Sequence, residues 1–140
     1  MPPTTQTPTT LPTAQKQLRF IGSAQKDLLK FPNEVRQEVA QALYEAQKGR
    51  KPSSAKPLTG DPAFRGASTL EIVEDFDTNT YRVVITVRFP GVVYVIDAFQ
   101  KKSTSGIGTP LKDIRRIKKR LKAAEQDYER EFKKTRKGGP

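Results

Sequence analysis

The chain contains no cysteine and no histidine. Without cysteine there is no disulfide framework, no thiolate nucleophile and no zinc–thiolate site. Without histidine the usual neutral-pH acid–base group and the commonest metal ligand are missing too, so any catalysis falls to Lys, Arg, Glu, Asp, Tyr or the backbone. Neither a metal nor a cofactor is expected. No apolar run approaches the roughly 20 residues that a membrane-spanning helix needs, and the N-terminus lacks the apolar region of a signal peptide. A soluble, cytoplasmic protein without a membrane partner is the expectation.

Positive charge is abundant. Lys and Arg number 26 against 15 Asp and Glu, a net charge of +11 at pH 7. Such a surface attracts phosphates and anionic proteins, although it says nothing about fold. With 140 residues, a third of them hydrophobic, the chain can close one modest core, and a single domain is expected.

Residues 1–17 hold Pro2, Pro3, Pro8 and Pro12 among threonines, too little apolar area to offset chain entropy, and are expected to be a disordered tail. The folded domain is expected over 18–132 and a basic flexible tail over 133–140. Arg19 to Ile21 reads as a short strand, and Ser23 as the N-cap of a helix from Ala24 to Lys30. From Asn33 to Lys48 the apolar residues Val35, Val39, Ala42, Leu43 and Ala46 recur at helical spacing, and Gly49 supplies a left-handed stop. Arg50 to Arg65 is a polar loop long enough to suggest a function. Thr69 to Glu74 returns to strand, and Asp77-Thr78-Asn79 turns the chain.

The most informative stretch follows. Tyr81, Val83, Ile85, Val87 and Phe89 alternate with Arg82, Val84, Thr86 and Arg88, so one row of side chains meets a core and both arginines stand on the opposite face. Val92 to Phe99 is apolar almost throughout, as a central strand should be, and ends in Gln100-Lys101-Lys102. Thr109-Pro110 is expected to open the last helix as N-cap and first helical residue. Its apolar stripe is Leu111, Ile114, Ile117, Leu121, Ala124, Tyr128 and Phe132; from Pro110 onward there are twelve cations and five acids. The order strand, helix, helix, three strands, helix gives an α+β fold: a small antiparallel-rich sheet with the helical hairpin and the last helix packed on one face, the other left open.

Several blocks of this sequence resemble the RelE/ParE-type toxins of bacterial toxin–antitoxin pairs, in the phage-derived HigB-like branch. They are Lys56-Pro57-Leu58-Thr59-Gly60, Leu70-Glu71-Ile72, Thr80 to Val87, Val93 to Lys102, and Gly106-Ile107-Gly108-Thr109-Pro110. The resemblance spans roughly residues 19 to 125, and the blocks in order are more specific than any one alone. It implies a RelE-like, microbial-RNase-like fold and an endoribonuclease that cuts messenger RNA, often in the ribosomal decoding site. It also implies an antitoxin partner with a helix-turn-helix domain. Arg82 stands where the family has an arginine that stabilises the scissile phosphate, and Lys101 or Lys102 matches a basic residue after the last strand. Glu71 and Val73 stand where the mechanistically best-understood relative has lysines.

Metal-free RNA cleavage needs the neighbouring 2′-OH deprotonated, the phosphorane charge stabilised and the leaving oxygen protonated. Arg82 suits the second task through its planar grip on two oxygens; alternatively it is an exposed arginine paired with Glu71. Lys101 and Lys102 are candidates for phosphate donor, acid or base, against a solvated strand end. Glu71 is either the base or the partner that orients Arg82. Lys56, Arg65, Arg88, Arg115, Lys119 and Lys122 are candidate RNA-backbone contacts. Tyr81 and Phe99 have faces on which bases stack, but alternate in phase with core residues. Along the last helix, Lys112, Arg115, Arg116, Lys118, Lys119, Arg120 and Lys122 face only Asp113, an imbalance suited to ribosomal RNA or an acidic antitoxin segment. Two other readings stay open: a non-enzymatic gyrase poison, as in the ParE arm, and a basic RNA- or ribosome-binding protein.

Overall fold

A computed structural model describes residues 15–66, 68–101 and 110–133. The predicted elements form in the expected order, with one addition. β1 (Gln17–Phe20), α1 (Ala24–Leu28) and α2 (Asn33–Gln47) are followed by β2 (Ala55–Pro57), β3 (Thr69–Phe76), β4 (Asn79–Thr86), β5 (Val92–Lys101) and α3 (Leu111–Tyr128), which runs into a π-helical turn at Glu129–Lys133. The added strand β2 and a 3-10 turn, Pro62–Phe64, both lie in the long polar loop. Asp61 caps that turn by accepting from the Ala63 amide at 2.8 Å.

The five strands run in the order β1-β5-β4-β3-β2, with β1 parallel to β5 and the other pairs antiparallel. β3 and β4 are joined by a tight turn in which Asp77 and Thr78 both have positive φ, 52° and 66°. A turn with two such residues matches the twist of a hairpin. Gly49, at φ 85°, ends α2 as the sequence suggests.

Apolar periodicity determines which side of the sheet each helix covers. Val35, Val39, Ala42, Leu43 and Ala46 of α2 pack with Ile72, Tyr81, Val83, Ile85, Val93 and Val95 on one face. Ile114, Ile117, Ala124 and Tyr128 of α3 pack with Val84, Val92, Tyr94 and Ile96 on the other, together with Leu58, Phe64 and Phe89. This corrects the expectation that all the helices share one face. β5 is buried on both sides, which explains its unbroken apolar run.

Three boundaries differ from expectation. Lys16 and Gln17, assigned to the tail, are in the fold: the Lys16 amide donates to Gln47 O at 2.9 Å and the Gln17 amide to Gly91 O at 3.0 Å. α1 stops at Leu28; Ser23 stands at its N-cap position as expected but makes no side-chain capping bond, its hydroxyl donating to Asp27 at 2.8 Å. Pro110 is itself the N-cap of α3. Thr109 lies outside the described residues, as do 1–14 and 134–140, to which most of the expected tails belong.

Candidate active site

β5 does not alternate strictly. Val84 pairs with Asp97 and Ile85 with Val95, so Ile96 is an extra residue, a β-bulge. Beyond the bulge the faces exchange: Asp97, Phe99 and Lys101 join the α3 side, and Ala98 joins the α2 core. The bulge therefore brings Lys101 onto the face that carries Arg82.

On that face lie Lys56 of β2, Glu71 of β3, Arg82 of β4 and Lys101 of β5. Lys56 is directly opposite Glu71, Arg82 is opposite Phe99, and Lys101 is opposite Thr80. Arg82 Nη1 donates to Glu71 Oε1, with only 15% of the arginine side chain and 6% of the glutamate side chain exposed. Arg82 Nε is buried and has no hydrogen-bond partner among the described residues. A buried donor left unpaired is costly, and a cationic one is suited to an anion supplied from outside. Burial lowers the Lys101 pKa below the ordinary value of 10.5; the Arg82 charge and, more weakly, Lys56 lower it further, against the pull of Glu71. These four residues are one electrostatic unit.

α3 and the long loop bound this unit. Lys118 pairs with Asp61 at 3.3 Å. The loop backbone at Gly60 sits so close to α3 that a Cβ there would lie 3.1 Å from Ile114 Cδ1. The face expected to be open is thus covered over its middle, where Val84 is buried; toward its end Lys56 is exposed and Lys101 partly exposed, while Arg82 is mostly buried. Among the described residues, no group of three or more acidic, histidine or cysteine residues is placed to hold a metal ion.

The other predicted contacts lie apart from this unit. Arg88 lies past the end of β4 beside Phe89, where Thr86, Lys118 and Lys122 line a separate pocket of about 200 Å³. Arg65 is exposed at the end of the 3-10 turn, and Arg115, Lys119 and Lys122 are exposed on α3. Lys102 lies outside the described residues. Tyr81 is core, packed on Phe31, whereas Phe99 is half-buried beside Arg82.

The cationic run on α3 is less free than its composition suggests. Arg116 reaches Asp97 Oδ2 from Nε at 2.9 Å and Asp113 Oδ1 from Nη2 at 2.7 Å, and Arg120 Nη1 reaches Asp97 Oδ1 at 3.0 Å. The reading of seven cations opposed only by Asp113 is corrected: Arg116, Arg120 and Lys118 are internally paired. Sequence reasoning missed Asp97, although a lone acid within an apolar strand needs a cationic partner.

One family model matches residues 26–122, described as phage derived protein Gp49-like (DUF891). The chain belongs to this Gp49-like family. The match covers every element of the candidate site. Two solved structures are similar: a mutant of the E. coli toxin RelE in the free state, at 22% identity and a TM-score of 0.46, covering 66% of this chain and 88% of that one; and the toxin–antitoxin complex RelBE2 from Mycobacterium tuberculosis, at 20% identity and a TM-score of 0.43, covering 63% of this chain and 100% of that one. No curated protein sequence matches.

Proposed function

We propose that this Gp49-like protein is the toxin of a toxin–antitoxin pair and an endoribonuclease that cuts messenger RNA. The observation carrying the reading is the Lys56–Glu71–Arg82–Lys101 unit, with an unpartnered Arg82 Nε buried at its centre. The RelE/ParE-type sequence blocks support the same chemistry and imply the antitoxin.

In this mechanism the 2′-OH attacks the adjacent phosphate, its proton passing to solvent water, and the 5′-oxygen leaves with a proton from the protein. Arg82 offers its guanidinium to the developing phosphorane charge, held in place by Glu71, while Lys101 protonates the leaving oxygen. An ammonium with a lowered pKa is the better acid for that step. Glu71 is a positioning residue in this scheme, since Oε1 is engaged by Arg82. Exposed Arg115, Lys119 and Lys122 on α3 bind RNA backbone or ribosome.

Induced alone, the chain should arrest growth and leave 2′,3′-cyclic or 3′-phosphate ends within translated messages, read by primer extension and end analysis. Intact RNA with blocked gyrase supercoiling would assign the protein to the gyrase poisons instead.

A further inference from the structure

β1 pairs with β5 only from Val92 to Val95, so the later half of β5 has no strand beside it on that edge among the described residues. A groove of about 670 Å³ lies there, between the end of α1 and the start of α3. We propose that this groove is a subsite for one nucleotide of single-stranded RNA next to the cut. This rests on the reading of Arg82 and Lys101 as the phosphate cluster.

Phe99 links the two places. It is the cross-strand partner of Arg82 on the same face, lines the groove and is half-buried, leaving ring surface for a base. Arg116 lies over the ring, its guanidinium carbon 5.7 Å from the centroid, and is itself fixed by Asp97 and Asp113. The platform is therefore set before any ligand arrives, which limits the ordering cost of binding. Of the three carboxylates in the lining, Asp97 and Asp113 are neutralised by Arg116 and Arg120 and Asp27 accepts from the Ser23 hydroxyl at 2.8 Å, while Lys30 and Lys112 remain exposed cations suited to a flanking phosphate. Stacking on an aromatic face is tolerant of base identity, so the subsite favours a base over none and discriminates weakly among the four.

The test uses the full chain and a dinucleotide whose attacking 2′-OH is replaced by hydrogen, beside its two abasic analogues, each lacking one of the two bases. Binding is read from amide NMR shifts. The intact dinucleotide should shift Phe99, Gln100 and Lys112 as well as Arg82 and Lys101, and bind about tenfold more tightly than one of the two abasic analogues. Phe99→Leu should remove that advantage without weakening that abasic compound further. Shifts confined to Arg82 and Lys101, or equal weakening of both compounds by Phe99→Leu, overturn the subsite and leave the nuclease reading standing. Binding that ignores Arg82→Ala overturns the reading beneath it, and no binding at any amide overturns both.

Discussion

The Tyr94 hydroxyl donates to Asp127 Oδ2 at 2.6 Å, while Arg19 grips the same carboxylate through Nε at 2.8 Å and Nη2 at 3.2 Å. One side chain near the end of α3 thus ties the helix to both β5 and β1. Burial alone would raise the Asp127 pKa, but the hydrogen bonds from Arg19 and Tyr94 outweigh it and hold it below the ordinary 3.8. The folded-state value is depressed, so the stability this group contributes is present above the ordinary carboxylate pKa and is lost as pH falls through the lower, folded value. Asp127→Asn should cost about 1–3 kcal/mol at neutral pH by leaving the buried Tyr94 hydroxyl and the partly exposed Arg19 poorly paired, and should flatten the acid limb of stability. Urea midpoints measured from neutral into acid pH check this; an unchanged acid limb in the variant refutes the assignment.

Removing Arg82 should affect chemistry and stability separately. Arg82→Ala is expected to lower the cleavage rate by orders of magnitude, because the guanidinium acts on charge that appears only in the transition state. It also strands the Glu71 carboxylate, only 6% exposed, and should cost about 1–3 kcal/mol. The double change Glu71→Ala with Arg82→Ala should recover much of that stability and none of the activity. Cleavage retained in the double variant would make the pair purely structural.

The division of labour on this face was partly legible from residue order. Period-two alternation places Arg82 opposite the α2 core, and helical spacing identifies the buried stripes of α2 and α3. The apolar run Val92 to Ile96, with both parities hydrophobic, marked a central strand, but the expectation of one open face overlooked that such a run needs cover on both. The Ile96 bulge left no local signal, because which residue a strand skips depends on its partners. Strict alternation would send Lys101 to the α2 side, so its union with Arg82 emerges only from the paired sheet. Likewise, Arg116 and Arg120 share a helix face at i,i+4 spacing, but only packing shows that this face meets Asp97.

Lys101 should set the alkaline limit of activity. As the general acid it must be protonated, and burial together with Arg82 lowers its pKa below 10.5. The rate should therefore fall with rising pH earlier than an ordinary lysine would dictate. Lys56→Gln removes a weaker source of the same depression and should move that limb slightly upward in pH. A pH–rate profile of single-turnover cleavage checks both, and a limb unmoved by Lys56→Gln and still present in Lys101→Met would exclude Lys101 as the acid.

The two sides of α3 should respond in opposite ways. Arg115, Lys119 and Lys122 are exposed, so changing all three to Glu should leave folding largely intact and weaken RNA or ribosome binding by reducing counterion release. The salt dependence should flatten by roughly 0.7 to 0.9 log units of slope for each phosphate that is no longer neutralised. Ile117 is fully buried between α3 and the sheet, and Ile117→Ala should cost about 2–5 kcal/mol with the salt slope unchanged. Arg120 belongs with Ile117 despite its charge: it donates to Asp97 Oδ1, to the Ile96 carbonyl at 3.1 Å and to the Ser23 hydroxyl at 2.9 Å. Arg120→Ala should accordingly destabilise the fold, by about 3–5 kcal/mol if Arg116 alone fails to neutralise Asp97, and leave the salt slope where it was. A slope that drops on Arg120→Ala and holds in the triple Glu variant would reverse the assignment and place the RNA-binding surface at the groove end of the helix.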